Sequence, residues 1–390
     1  MMRSLTPWPG QTRDLESSGG TEPSDSGKAA LALPQERPGT SRDSLGAASH
    51  WIITMLILAG MSFGVLLGCL RFGAEPVSIA DAVRILSGAL LGDPVGGGAA
   101  GPASVILLHI RLPRVLLSCL VGGSLAAVGV VLQALLRNPL ADPYVLGVSS
   151  GAAFGAGLAI LLGIGTTLWA LSTLPLFAFA GGLAALLVVY LITRVDGQLP
   201  VSVLLLAGVI LNAIFSAGLM FVTSIMEPTR SFGMMNWLMG TLTAPTYQSL
   251  GVLAVYLLTG SILLARFARP LNLLALGEQA ARSLGVEVEQ VKHRVFLISA
   301  LMTGAVVSVS GMIGFVGMLI PHAVRMMLGA DHRLLLPAAF FVGAIFLMIA
   351  DTVSRTILAP AEVPVGIVTA LAGGPFFIFL LVSHKGGMTR

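Results

Sequence analysis

Long apolar stretches fill the chain beyond residue 50, broken by short clusters of glycine, proline, asparagine and charge. Runs of about 18 to 25 residues are long enough to cross a hydrocarbon core about 30 Å thick at about 1.5 Å per helical residue. Lipid cannot satisfy exposed backbone groups, so these runs are expected to be helices. A transmembrane barrel would instead show short alternating segments, not a continuous run such as Trp51 to Leu70. Candidate spans fall at 51–70, 113–136, 143–163, 168–193, 200–224, 247–266, 294–312, 315–329, 334–357 and 363–382. The expected fold class is all-α: a polytopic membrane helix bundle of about ten transmembrane helices. Segment 315–329 is short and carries Pro321, which predicts a kinked or partial crossing. Residues 1–49 are rich in Ser, Gly, Pro and mixed charge, have no apolar periodicity and no signal-peptide core, and are expected to be a disordered tail on the cytoplasmic side.

Composition agrees with a lipid environment: of 390 residues 55% are hydrophobic and 10% charged, with a mean hydropathy of +0.92. That leaves too little polar surface to coat a water-soluble body of this size. Ten crossings put both termini on one side, and sixteen of the 22 lysines and arginines then fall on that side against six on the other. The positive-inside rule makes both termini cytoplasmic. The two cysteines, Cys69 and Cys119, both lie inside apolar runs, read as packing residues, and support neither a disulfide framework nor a metal site.

Gly122 and Gly304, Gly129 and Gly311, Pro139 and Pro321, and Gly147 and Gly329 recur at one constant offset. Chance is a competing explanation in a chain with 47 glycines; a true repeat five spans apart would be inverted in the membrane. The stretch Gly147-Val148-Ser149-Ser150-Gly151 fits a nucleophile-elbow pattern, but it sits in an apolar helical segment and not in the strand-turn-helix that pattern requires. No phosphate-binding loop of the "GxxxxGK[ST]" type occurs, so ATP hydrolysis by this chain is not expected, and neither is any other enzymatic activity or any cofactor or metal site. An ion-coupled secondary transporter would share the bundle, but the spans lack the midplane acid or base that coupling usually needs. Asp142, Asp351, His322 and Arg325 are the ionisable groups nearest membrane depth, and each lies near a helix end or proline where capping or pairing accounts for it.

Residues 277–293 form the longest polar segment between spans on the cytoplasmic side. Ala280, Ala281 and Leu284 would share one face of a short helix, Glu278 suits its N-terminal dipole, and Gly285 can end it. Arg111, Arg114 and Arg355 break the positive-inside pattern at the outer edge, where snorkelling of long side chains is the plain explanation. Phe232 to Gly240, rich in methionine, reads as a half-buried helix outside the membrane.

Several blocks together resemble the FecCD family of ABC permeases. They are Arg111-Leu112-Pro113-Arg114 with Gln133; Arg137 to Pro143 running into Leu146 to Gly151; Leu276 to Gly285; Gly314 to Arg325; and Asp331 to Arg333 with Ala350-Asp351, Arg355 and Glu362 to Gly366. The resemblance covers residues 50–385 and leaves out the tail. It implies a transmembrane permease domain of an ABC importer for iron-siderophores, haem or cobalamin, with a ferric siderophore as the first expectation. It also implies an inner-membrane homodimer, two copies of a separate ATPase subunit, an extracytoplasmic substrate-binding protein, and no nucleic acid. Within it, Gly277, Glu278, Ala280, Ala281, Leu284 and Gly285 would form the ATPase-coupling loop, and Arg111, Arg114 and Arg355 the seat for acidic residues of the binding protein. Met234, Met235, Trp237 and Met239 would line the outer mouth of the pathway, with Asn212 and Ser216 lining the pore on the fifth span.

Overall fold

The computed structural model describes residues 41–73, 78–90, 102–164, 173–194 and 197–387. Residues 1–40 of the expected tail lie outside the described residues. Residues 41–48, which belong to a separate compact unit, are helical.

The elements in chain order are α1 (Ser41–Arg71), α2 (Ile79–Leu90), α3 (Pro102–Val105), a π-helical stretch (Ile106–Arg111), α4 (Leu112–Leu135), a 3-10 turn (Pro143–Leu146), α5 (Val148–Leu161), α6 (Thr173–Thr193), α7 (Val201–Ser224) and α8 (Pro228–Leu238). There follow α9 (Tyr247–Ala265), α10 (Ala268–Ala275), α11 (Glu278–Ser283), α12 (Val288–Ser310), α13 (Val316–Leu328), α14 (His332–Thr356) and α15 (Val365–Gly387). No strand occurs among the described residues. Seven helical stretches are long and apolar enough to cross a membrane: Ser49–Arg71, Ala103–Leu135, Thr173–Thr193, Val201–Ser224, Tyr247–Ala265, Val288–Ser310 and His332–Thr356. Shorter apolar helices at Val148–Leu161, Val316–Leu328 and Val365–Phe379 occupy the other three expected segments.

Polar residues set the helix ends. Asp142 accepts from the Tyr144 N–H at 2.9 Å to start the 3-10 turn, Thr246 accepts from the Ser249 N–H at 3.2 Å to cap α9, and Asp331 accepts from the Arg333 N–H at 3.0 Å to cap α14. Each satisfies a backbone donor that a helix N-terminus leaves without an internal partner.

Helix α4 is the hub. It is buried along most of its length and packs against α9, α12, α13 and α14, whereas α7 and α9 leave most of their length exposed. Two glycine contacts permit this. A methyl group on Gly122 would meet the Gly343 carbonyl oxygen of α14, and one on Gly129 would meet the Gly317 carbonyl oxygen of α13. Small residues let the backbones approach closely enough for dispersion and weak polar contacts to hold helices together in lipid, where apolar burial gives little drive.

The offset-based repeat does not survive in its original pairing. Gly129 lies inside α4 while Gly311 ends α12, and Pro139 sits in a turn while Pro321 lies within α13. The likeness lies in element order. A long buried helix, α4 or α12, is followed by a non-helical segment and then by a short apolar helix opened by a left-handed residue, Gly147 (φ 78°) before α5 and Phe315 (φ 70°) before α13.

A methyl on Gly343 would sit 2.5 Å from the Gly122 carbonyl oxygen and 2.6 Å from the Ala126 Cβ. Gly343→Ala is therefore expected to cost about 2 kcal/mol through overpacking. Gly64→Ala, where no atom lies within 4 Å of the added carbon, should stay within about 0.5 kcal/mol of the parent. Thermal unfolding of the purified protein in mild detergent compares the two.

Candidate functional site

Three groups of polar residues tie the helices of the bundle together. At the expected outer end, Arg114 and Arg355 come together around Asp351, which is fully buried, and Arg111 lines the same cavity. The Arg114 Nε donates to Asp351 at 3.0 Å and its terminal nitrogen to Glu362 at 2.8 Å, while Arg355 approaches Asp351 at 3.6 Å. Arg355 also donates to the Cys69 carbonyl at 2.9 Å, and Arg111 donates to the Leu70 carbonyl at 3.0 Å. These carbonyls belong to the last turn of α1, where unpaired acceptors and the negative end of the helix dipole favour a cation. The three arginines do share a cavity of about 250 Å³, also lined by Glu362. The expectation of a free arginine seat needs correcting, because Arg111 and Arg355 are 4% and 8% exposed and are already engaged inside the chain. Desolvating a guanidinium is costly unless its donors find partners, and an α1 carbonyl takes one terminal nitrogen of each, with the Asp351 charge beside Arg355 offsetting the rest.

In the second group the Tyr144 hydroxyl donates to the Ile313 carbonyl and accepts from the Ile313 N–H, both at 2.8 Å, clasping the turn before α5 to the segment between α12 and α13. Asn212 accepts from Ser150 at 2.6 Å and donates to the Tyr144 carbonyl at 3.3 Å, so this expected pore residue ties α7 to α5. Gln133, buried on α4, donates to the Met318 carbonyl at 3.1 Å and accepts from Arg325 at 3.0 Å. Ser216 is exposed on α7. Within α8, Met234 and Trp237 are buried against Ala152, Ala156 and Val222 and Met235 is exposed, while Met239, just past its end, is half-buried. Met234 and Trp237 therefore pack the interior of this chain instead of facing an opening, since an amphipathic helix buries its apolar stripe on the nearest bundle.

The third group is the polar segment 277–293. Gly277 (φ 122°) and Gly285 (φ 82°) bracket α11, both in conformations that disfavour a side chain. Ala281 is fully buried and Ala280 half-buried, but Leu284 is 61% exposed, as is Leu276 at 70%. The expected common face of Ala280, Ala281 and Leu284 is therefore split: α11 ends at Ser283, and the turn at Gly285 swings Leu284 outward. What fixes this knob is Lys292, 5% exposed, which pairs with Glu289 at 2.9 Å and Glu278 at 3.3 Å and donates to the Leu199 carbonyl at 3.2 Å. Arg282 adds a contact to Glu289 at 3.2 Å, and Arg137, at the end of α4, approaches Glu278 at 4.0 Å. Close by in sequence, Asn272 of α10 donates to Asp331 at 2.6 Å and accepts from the His332 N–H at 2.9 Å, latching α10 to α14. Burial alone would lift the Asp331 carboxyl, but the Arg333 N–H, the Asn272 amide and the charges of Arg333 and His332 outweigh it and hold the group below its ordinary range.

Lys292, Tyr144 and Asn272 were not singled out from the sequence, and Gln133 entered only among the residues that carry the family resemblance, with no partner assigned to it. Gln133 and Asn272 each touch partners far away in the chain, and a lone polar residue in an apolar run carries no local sign of its partner. Lys292 had one sign, a lysine following Glu289 at helical spacing.

A bundle of ten apolar helical segments carrying a rigid polar knob on one face defines a membrane-embedded transport subunit, the permease of an ABC importer. The chain matches the FecCD transport family over residues 54–383 and belongs to that family. It is 45% identical over 281 residues to the hemin transport system permease protein HmuU of Yersinia pestis, covering 72% of this chain and 84% of that protein. It is 41% identical over 318 residues to the cobalamin import system permease protein BtuC of Halobacterium salinarum, covering 79% and 84%. A solved structure described as the inward-facing conformation of an ABC transporter, assigned to the metal-chelate type, superposes with a TM-score of 0.71 at 32% identity, covering 85% of this chain and 99% of that one.

The outer cluster allows a direct comparison of buried and exposed charge. Asp351→Ala leaves Arg114 and Arg355 facing each other without their shared carboxylate and is expected to cost about 3 kcal/mol. Glu362→Ala removes a partner that is 56% exposed and should cost under about 1 kcal/mol. The difference in thermal midpoints measures the ordering.

Proposed function

We propose that this chain imports a ferric siderophore across the bacterial inner membrane, as a homodimer with both termini cytoplasmic, powered by two copies of a separate ATPase subunit. The observation that carries the reading is the knob from Leu276 to Gly285, which presents Leu276, Gln279, Ser283 and Leu284 outward while Lys292 holds its inner side. An exposed apolar tip on a rigid, salt-bridged base suits insertion into a cleft of a partner and transmission of its motion. Flexible loops lose such motion in their own rearrangement. Gly277, Glu278, Ala280, Ala281 and Gly285 set the knob's shape, and Leu284 supplies the contact.

An extracytoplasmic binding protein would dock over the outer arginine corner. Three cations against two carboxylates leave Arg111, Arg114, Arg355, Asp351 and Glu362 net positive around one cavity, which favours an acidic partner group. Arg114 is the member best placed to exchange its exposed partner, Glu362, for a carboxylate of the binding protein. The pathway would run between two copies of the chain, with Ser216 of α7, Met235 of α8 and Met239 just after it nearest to it and Asn212, Met234 and Trp237 behind them. ATP would bias the outward-open and inward-open states by binding one of them better, because a ligand moves such an equilibrium only through differential affinity.

The metal-chelate assignment of the superposed transporter supports a ferric chelate as substrate. The names of the two relatives favour haem or cobalamin as the second reading. Uptake of labelled ferric siderophore, haem and cobalamin, measured in parallel in cells lacking this chain and with ATP depleted, separates them. Loss of ferric siderophore uptake alone is expected. Loss of only haem or only cobalamin uptake would replace the substrate, and unchanged uptake of all three would overturn the assignment to this substrate group.

A further inference from the structure

A cavity of about 560 Å³ opens between Trp51 of α1, the end of α9, the start of α10 and the start of α14, on the side of the bundle that carries the α10–α11 knob. Trp51, Arg266, Arg269, His332, Arg333 and Pro337 line it. All three arginines are exposed, and none has a carboxylate within ion-pair distance among the described residues, unlike the arginines of the outer corner and the knob. Three guanidinium groups lining one cavity, offset only by the charge of Asp331 beside Arg333, favour an anion there.

His332 supplies a second, independent observation. It is only 4% exposed, and its Nε2 has no hydrogen-bond partner. Its tautomer follows from its neighbours. The Asn272 amide nitrogen donates to Asp331, which turns the amide oxygen toward His332, where it faces both the backbone N–H and Nδ1 at 2.6 Å. Nδ1 must therefore carry the proton, and in the neutral ring Nε2 is an acceptor waiting for a hydroxyl. A buried polar atom of this kind is costly to leave unpaired.

The surroundings fit a lipid. The Trp51 indole N–H donates to the Arg333 carbonyl at 3.2 Å, holding an amphipathic ring at the rim, as aromatic residues are held at membrane interfaces. Further into the bilayer from the cavity, Ile52 and Leu56 of α1 and Ile262 of α9 are exposed apolar surface on which acyl chains can lie. Basic pockets between transmembrane helices on the cytoplasmic side are suited to anionic headgroups.

We infer that this cavity binds the headgroup of one anionic phospholipid bearing a phosphate and a free hydroxyl, as in phosphatidylglycerol, from the leaflet on the knob's side. The phosphate sits among Arg266, Arg269 and Arg333, and the hydroxyl donates to His332 Nε2. Only the name of that leaflet rests on the orientation proposed above. Because His332 is joined to α10 through Asn272, an occupied site would also brace the latch from α14 to the knob.

The full-length protein, purified in mild detergent with phosphatidylglycerol or phosphatidylcholine added in equal amount, is examined by native mass spectrometry for retained lipid. The parent chain should keep phosphatidylglycerol and not phosphatidylcholine. The triple variant Arg266→Gln, Arg269→Gln, Arg333→Gln should lose that retention by about a hundred-fold, from three charges near an anionic surface. Arg294→Gln, an exposed arginine close to the knob in sequence and outside the cavity, should retain it. Equal retention of both lipids by the parent, or undiminished phosphatidylglycerol on the triple variant, would overturn the site. So would a triple variant that keeps its lipid but no longer co-purifies with the ATPase subunit, since the arginines would then serve a protein contact. Lipid retention is read without transport, so failure here leaves the importer reading untouched, and failed uptake leaves the lipid site untouched.

Discussion

The close approach of α4 to α13 and α14 is the constraint on which the rest of the bundle depends. Backbone touches backbone at Gly122 with Gly343 and at Gly129 with Gly317, with no room for a single methyl group. In lipid the hydrophobic effect does little to bring apolar helices together, so shape at such contacts does the work that burial does in water. Because α4 is enclosed by α9, α12, α13 and α14, its position fixes theirs. The polar groups of α4 then fall where partners meet them. Arg114, near its start, reaches Asp351 of α14, and Gln133, near its end, reaches Met318 and Arg325 of α13.

This hub also gives the knob a mechanical base. Arg137, just past α4, lies beside Glu278, and Glu278 shares Lys292 with Glu289 at the start of α12. From there α12 leads to Ile313, which Tyr144 clasps, and Asn212 carries the contact on to α7. A push on Leu284 from outside thus meets ion pairs and buried hydrogen bonds at each step toward the face where a second copy would complete a pathway. The shared order of α4–α5 and α12–α13, each with a left-handed residue opening a short helix, places an unwound segment at both ends of the Tyr144 clasp. Irregular backbone is tolerable at membrane depth only where protein satisfies it, and the Tyr144 hydroxyl does so.

The sequence made the number and type of elements legible because period and length are local properties. Ten apolar runs were read, and the kinked short segment at Pro321 is α13. Local reading missed helix ends where polar residues are satisfied from afar: α12 begins at Val288 and not at 294 because Lys292 and Glu289 are paired inside the structure. The π-helical stretch Ile106–Arg111 left no periodic trace either. Among candidate residues, the outer arginines are expected at one membrane edge, but the occupation of Arg111 and Arg355 by α1 carbonyls could not be seen from spacing. Met234 and Trp237 carried the same ambiguity, since a methionine stripe looks alike whether it faces a pathway or its own bundle. Leu284 turned outward because a glycine with positive φ follows it, a reversal that a helical projection cannot include.

The central claim is that transport is driven through the knob, and the most direct measurement is ATP-dependent uptake by Leu284→Asp in proteoliposomes containing the ATPase subunit and the binding protein. Leu284 is exposed, so the substitution should leave the thermal midpoint of the permease unchanged. The account predicts uptake reduced by about ten-fold or more, as for loss of an apolar anchor at an interface. Uptake equal to the parent's, with the charge demonstrably in place, would contradict it.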